Sequence, residues 1–369
     1  MVDIPKEIKT WQMVTPYGKN GKTGEILTGK IEKTTIPVPD LKEGEVLVEI
    51  AGCGVCHTDL GFFYDSVPTV NKPPLTLGHE ISGKVVSGDS KWVGKEVIIP
   101  AAMPCWNCAL CKTGRGNRCL AQKMPGNSMG IYGGFSSHIP VPSTDLCEVK
   151  ERGKTPLSCL AVIADAAVTP YQAAKRANLQ PGDNVIVIGC TGGVGQYQLQ
   201  EVKALGAKTV IGIDINSERL QKSLNYGADF IINSMGKSPK EVTGEFKDIC
   251  RSTGLVSYGW KIFEVSGSKP GQEIGLSLLG FTGKLIIVGF NTAKVEYSIS
   301  RLMAFDAEII GTWGSFPGYY PIVMDMALSG RINIDNFVET RPMSSIVETF
   351  DEIHHTGSPE KRIVLIPDF

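Results

Sequence analysis

The sequence has almost no net charge: 37 basic against 38 acidic side chains leave −1 at pH 7. A chain so balanced has no overall field to draw it to nucleic acid or to an anionic membrane, and neither is expected as a partner. The opening residues, MVDIPKEIKTW, lack the basic start and apolar run of a secretory signal. No stretch reads as long and apolar enough to span a bilayer, so a cytoplasmic protein is expected. Internal repeats and low-complexity tracts are missing as well. What remains is ordinary for a globular enzyme, 42% hydrophobic and 20% charged residues. A length of 369 residues favours about two domains.

The cysteines are unevenly spent. Of ten, four lie within fifteen residues as Cys105-x2-Cys108-x2-Cys111-x7-Cys119. In a reducing compartment such clustering points to metal rather than to disulfides. Four thiolates close the tetrahedral shell of a structural zinc, with no position left for chemistry. An iron–sulfur cluster is the rival for the same ligands.

The texture of the chain changes along its length. Up to about residue 150 it is short β-like runs punctuated by Gly and Pro, among them EVLVEIAG, ISGKVVSG, KEVIIP and GGFSSHIPV. That pattern predicts an antiparallel, barrel-like domain. After Pro170 apolar strands alternate with helical segments: NVIVIG, GQYQLQEVKALG, TVIGID, SERLQKSLNYG, FII, IFEV, EIGLSLLG and KLIIVGF. Alternation of this kind predicts a doubly wound parallel sheet of the α/β class, covered on both faces. From about Gly311 the chain, ending in the strand RIVLIP, is expected to return to the first domain. The division predicted is 1–166 with 311–369, and 167–310.

Within the second domain Gly189, Gly192, Gly193 and Gly195 stand in a GxxGGxG turn, with Val194 between the last two. It follows a strand and opens a helix, where glycines let the backbone approach a pyrophosphate at the helix N-terminus. Asp214 ends the next strand nineteen residues after Gly195, the place for a carboxylate that binds an adenosine ribose. No Arg adjoins it to receive a 2′-phosphate, which favours NAD over NADP. In the first domain Cys56 in GVCHTD, His79 in LGHE and Asp165 in IADAAVTPY offer a thiolate, an imidazole and a carboxylate. Three such ligands and an exchangeable water describe a catalytic zinc site. Taken singly, each residue also reads as a core thiol, a hydrogen-bonded imidazole or a helix N-cap.

GVCHTD, GHE, the four-cysteine loop and GGVG, in this order, resemble the zinc-dependent medium-chain alcohol dehydrogenases over essentially the whole chain. The resemblance implies a GroES-like catalytic domain, a Rossmann NAD-binding domain and two zinc ions per chain, one structural and one catalytic. It implies that Cys56, His79 and Asp165 bind the catalytic zinc, with Glu80 beside it as an exchange ligand. Asp59 would orient His79, and Thr58 would bond the substrate oxygen and pass its proton. A His that several relatives carry five residues after the zinc Cys is Gly61 here. The resemblance further places Arg219 beside the adenosine ribose, the backbone of Val288, Gly289 and Phe290 at the nicotinamide, and Arg362 at a cofactor phosphate. It implies a homotetramer, by likeness to compact bacterial members. The segments PPLTLGHEISG, CKTGRGNRCLAQKMPGNSMGIYGG and ADAAVTPYQAA resemble members that oxidise a cyclic secondary alcohol carried as an acyl-CoA in anaerobic aromatic degradation. An acyl-CoA substrate is therefore expected, with Lys112, Arg115, Arg118 and Lys123 available to its phosphates. The alternatives are a zinc dehydrogenase for a polyol or simple secondary alcohol, a zinc-free enone reductase, and a non-catalytic dinucleotide-binding protein. The zinc motifs weigh against the last two.

Overall fold

The computed structural model describes residues 5–19 and 24–369. It divides into two compact units. One holds residues up to Val168 together with Gly314–Leu328 and Ile334–Phe369; the other holds Thr169–Trp313 and Ser329–Asn333. The short return of Ser329–Asn333 to the second unit departs from the predicted division. There the backbone N–H of Asn333 donates to Gln200 Oε1 at 2.7 Å, so this segment finishes the surface of a helix in that unit.

The first unit is built around the strand Glu45–Gly54. Its sheet runs in the order Cys147–Glu148, Glu96–Ile99, Glu80–Gly88, Glu45–Gly54, Arg362–Ile366, Val338–Pro342, and His138–Pro142 also pairs with Glu45–Gly54. All of these pairings are antiparallel except that of Val338–Pro342 with Arg362–Ile366. A smaller antiparallel sheet joins Lys30–Pro37, Glu7–Thr15 and Leu75–Thr76. Val46, Val48, Ile50, Ile81, Val85, Val97, Phe135 and Phe350 fill the core between. The register matters for the site: Gly54 pairs with Glu80 on one side and Val364 on the other. Three strand ends therefore meet where Cys56, His79 and Arg362 leave or enter the sheet.

The second unit is a six-stranded sheet in the order Phe230–Asn233, Thr209–Asp214, Asn184–Ile188, Lys261–Glu264, Lys284–Ile287, Glu308–Gly311, every pair parallel. This is the doubly wound dinucleotide-binding order. Successive strand residues point to opposite faces, and each face has its own core. Ile186, Ile188, Ile211 and Ile213 belong to one, and Val185, Val187 and Val210 to the other. Continuous apolar runs such as NVIVI are what burial on both faces requires.

Two elements here were not anticipated from sequence. The edge strand Glu308–Gly311 has only a short apolar run and stays largely exposed, so it gives little periodic signal. The helix Pro239–Thr253 opens with a capping box, Ser238 with Glu241, and Pro at its first turn, which is a readable start signal. Leu157–Arg176 is long and apolar enough by composition to cross a bilayer, contrary to expectation. In the fold it is interrupted at Asp165, and 78% of its apolar window is buried in protein.

Candidate metal centres and nucleotide site

Cys56 precedes the short helix His57–Phe63, and its backbone N–H donates to Asp59 Oδ2 at 3.1 Å. The other oxygen, Oδ1, accepts the Gly78 N–H at 3.0 Å and lies 3.3 Å from His79 Nδ1. Asp59 thus ties together the two loops that carry Cys56 and His79, and it is fully buried. His79 Nε2 turns the other way, 3.5 Å from Asp165 Oδ2, and Cys56 Sγ lies 3.6 Å from the same oxygen. One ligand atom each from Cys56, His79, Glu80 and Asp165 lie within 4.8 Å of one another. Thr58 is exposed, with its Oγ1 3.6 Å from Cys56 Sγ.

The electrostatics of this cluster suit a cation. Burial opposes a charge on His79, yet Asp59, Asp165 and Cys56 outweigh it and hold the imidazole well above its usual range. A donor set that draws a proton onto a buried imidazole is short of positive charge. One divalent metal would satisfy thiolate, carboxylate and imidazole together, and its charge would be balanced by Cys56 and Asp165. Glu80 is differently placed. It is fully buried and accepts from Arg362 Nε at 3.0 Å and from Arg362 Nη2. Arg362, 6% exposed, neutralises it. Three donors are then left to hold a metal, which leaves a coordination position open, as a catalytic site needs. Arg362, expected at a cofactor phosphate, is paired here with Glu80.

In the four-cysteine loop Cys108 Sγ lies 3.5 Å from Cys111 Sγ and 3.8 Å from Cys119 Sγ. Backbone N–H groups of Cys105 and Ala121 each donate to Cys119 Sγ at 3.3 Å. The backbone of Cys111 holds the Cys108 thiol down at about 6, while burial pushes the Cys111 thiol up to about 12. Trp106 takes φ +58° and its indole N–H reaches both Asp145 oxygens at 3.0 Å, closing the loop without a ligand role.

The nucleotide residues sit in the second unit, at the carboxyl ends of its strands, where such sheets bind ligands. Gly189 takes φ +79°, and a Cβ there would lie 2.7 Å from Ser266 Cα. Gly192, Gly193 and Val194 complete the turn, and Gly195 opens the helix Gly195–Ala204. Asp214 Oδ2 accepts the Thr191 N–H at 2.9 Å and Oδ1 the Ile215 N–H at 2.7 Å. Arg219 lies in the first turn of the next helix, whose cap is Asn216 Oδ1 accepting the Arg219 N–H at 3.0 Å. Val288 and Gly289 donate to the Glu264 carbonyl at 2.9 and 3.0 Å. Gly289 runs so close to Gly267 that no Cβ would fit, and Phe290 is 72% exposed beside it.

Sequence reasoning missed Tyr320. It is fully buried, its phenol donates to the Ala164 carbonyl at 2.8 Å, and its oxygen accepts the Ala101 N–H at 3.1 Å. Nothing in the local pattern YYP marks it, because its partners are distant in sequence.

Comparison with known proteins gives the following. The Alcohol dehydrogenase GroES-like domain model matches residues 42–151, and the Zinc-binding dehydrogenase model matches 193–329. An Alcohol dehydrogenase of Geobacillus stearothermophilus is 31% identical over 91% of this chain and 95% of its own length. A NAD-dependent alcohol dehydrogenase of Sulfurisphaera tokodaii is 26% identical over 90% of this chain and 95% of its own. The crystal structure of galactitol-1-phosphate dehydrogenase from Escherichia coli superposes with a TM-score of 0.82. It is 23% identical, over 97% of this chain and 100% of that one.

Proposed function

The chain belongs to the zinc-dependent medium-chain alcohol dehydrogenases, and on that premise we propose that it oxidises a secondary alcohol to a ketone with NAD, at a zinc held by Cys56, His79 and Asp165. It is an oxidoreductase of the alcohol and polyol dehydrogenase type. The observation that carries the proposed site is the convergence of Cys56, His79 and Asp165, with Glu80 beside them, within 4.8 Å.

When bound, zinc supplies a Lewis acid that lowers the pKa of an alcohol, and NAD supplies the hydride acceptor. The chain's own residues do the rest. Asp59, facing His79 Nδ1, fixes the ring so that Nε2 is the ligating nitrogen. Thr58 Oγ1 would accept a hydrogen bond from the alcohol and, as it takes that proton, pass its own hydroxyl proton to solvent, to which it is exposed. Gly61 offers no imidazole to carry that proton onward. Arg362 keeps Glu80 neutralised, so the negative donors that would face the metal are Cys56 and Asp165, with Asp59 behind His79. Asp214 accepts the ribose hydroxyls of NAD in preference to a 2′-phosphate, and the Gly189–Gly195 turn meets the pyrophosphate.

For the substrate we favour 6-hydroxycyclohex-1-ene-1-carbonyl-CoA, oxidised to the 6-oxo compound in anaerobic benzoyl-CoA degradation. The support is the likeness of the three sequence segments quoted above. Lys112 and Arg115 are also exposed on the four-cysteine loop, open to phosphates, whereas Lys123 is engaged by Glu45 at 3.4 Å. A simple secondary alcohol or a polyol is the second reading; the 31% identical relative, an alcohol dehydrogenase by name, favours it. NADH formation with the cyclic hydroxyacyl-CoA beside a panel of secondary alcohols and polyols separates them. Turnover at least about tenfold higher in kcat/KM on the CoA ester, about 1.4 kcal/mol of discrimination, supports the first. Preference for a free alcohol overturns it. We further read the enzyme as a cytoplasmic homotetramer. The clustering of Cys105, Cys108, Cys111 and Cys119 as metal ligands suits a reducing compartment, and light scattering at working concentration tests the assembly.

A further inference from the structure

The third metal donor, Asp165, comes from a part of the chain far from the other two. Asp59 accepts from the backbone of Cys56 and from that of Gly78, next to His79. Asp165 stands where the chain changes course, between the 3₁₀ segment Leu157–Ala164 and the helix Val168–Arg176, with φ −147° and ψ −63°. Its side chain is 20% exposed. The residue before it is fixed by Tyr320, whose buried phenol donates to the Ala164 carbonyl at 2.8 Å. The same oxygen accepts the Ala101 N–H at 3.1 Å. Ala101 lies four residues before Cys105, where the chain enters the four-cysteine loop. Beyond Ala101, Trp106 of that loop packs edge-on against Phe316 at 5.7 Å, and Phe316 against Tyr319 at 5.5 Å. Tyr319 adjoins Tyr320 in the chain.

We propose that Tyr320 is a positioning residue for Asp165: its hydroxyl clamps the backbone before Asp165 to the chain entering the four-cysteine loop and so sets how firmly the catalytic centre keeps its metal. The physical ground is geometric. A single buried hydroxyl used both as donor and as acceptor leaves neither amide free to move. Asp165 Oδ2 lies 3.6 Å from Cys56 Sγ and 3.5 Å from His79 Nε2, so a shift of the adjoining Ala164 would change both distances.

This rests on Asp165 being a ligand, and the experiment separates the two ideas. Full-length protein is loaded with zinc, and the catalytic site is exchanged with cobalt(II) to give a visible spectrum. Tyr320→Phe removes only the hydroxyl. Expected are metal loss to a chelator about 10–100-fold faster from the catalytic site, the range found when a ligand's outer support is removed, an altered cobalt spectrum, and unchanged metal in the four-cysteine loop. The effect should vanish when Tyr320→Phe is made on Asp165→Ala, since the phenol would have nothing left to position. A lower melting temperature with wild-type exchange rate and spectrum makes Tyr320 a packing residue and overturns the proposal. If Asp165→Ala itself keeps the wild-type cobalt spectrum, it is the ligand assignment that fails. Should the phenylalanine variant not fold, hydrogen exchange of the wild-type peptide spanning Ala101 decides the matter. Faster exchange after stripping the catalytic metal is expected, and no change overturns the clamp.

Discussion

Asp214 shows how one side chain can serve two ends. Its oxygens accept backbone N–H groups from Thr191, inside the glycine-rich turn, and from Ile215. The carboxylate that is expected to meet the ribose therefore also pins the turn that is expected to meet the pyrophosphate. Charge-assisted hydrogen bonds of this kind are worth about 1.5–3 kcal/mol each. Asp214→Ala is expected to weaken NAD binding about 10–100-fold while NADP binding changes less, because a 2′-phosphate gains nothing from a carboxylate. Titration of both cofactors against wild type and variant checks this. Equal use of NAD and NADP by the wild type would sink the assignment. A modest drop in melting temperature should accompany the loss, since Thr191 and Ile215 lose their acceptor.

At the scale of elements, the helix Gly195–Ala204 is unusual for the polarity of what it buries. Gln196, Gln198, Gln200 and Glu201 are all buried. Gln200 is satisfied by Gln196 and Asn333, but neither oxygen of Glu201 has a hydrogen-bond partner. Burial alone drives its carboxyl well above the usual range. In the unfolded chain this carboxyl ionises near its ordinary pKa, while in the folded chain it stays protonated to much higher pH. The folded state thus binds a proton that the unfolded state has lost. Glu201 should therefore cost stability that grows as pH rises above the unfolded pKa. Glu201→Gln removes the titration, and its stability advantage over wild type is expected to increase from pH 5 to pH 8, reaching about 1 kcal/mol or more by the one-proton linkage. Urea melts of both proteins across that range test it. An advantage that shrinks with rising pH would contradict the account.

For the whole molecule, the two cysteine-containing centres differ in kind. The four-cysteine loop offers only thiolates and no further donor, a closed shell. A metal held by Cys56, His79 and Asp165 would keep a position open. Two zinc ions per chain are expected, of which a chelator removes the one at the open centre first. Cys56→Ala should bind a single zinc and lose activity by at least about a thousandfold, the several kcal/mol that a Lewis acid contributes. Its circular dichroism should stay that of the wild type. Metal analysis that still finds two tightly held zincs in this variant would refute the assignment.

What the sequence determined by itself was whatever depends on neighbours along the chain. The four cysteines were legible because they fall within fifteen residues. The doubly wound sheet was legible because strands buried on both faces must be continuously apolar, as NVIVI and TVIGID are. The glycine turn was legible because Gly189, Gly192, Gly193 and Gly195 stand together between an apolar strand and a helix. The capping box of Pro239–Thr253 was there to be read and was passed over. Tertiary structure decided what joins distant residues. Cys56 and Asp165 are 109 positions apart, yet lie 3.6 Å from one another. Glu80 and Arg362 are 282 apart and buried as a pair. No local periodicity encodes such meetings, because they depend on sheet register: Gly54 opposite both Glu80 and Val364 brings three chain segments to one point. The same register assigns Arg362 to Glu80, and a buried guanidinium takes the carboxylate within reach because leaving either charge unpaired would cost several kcal/mol.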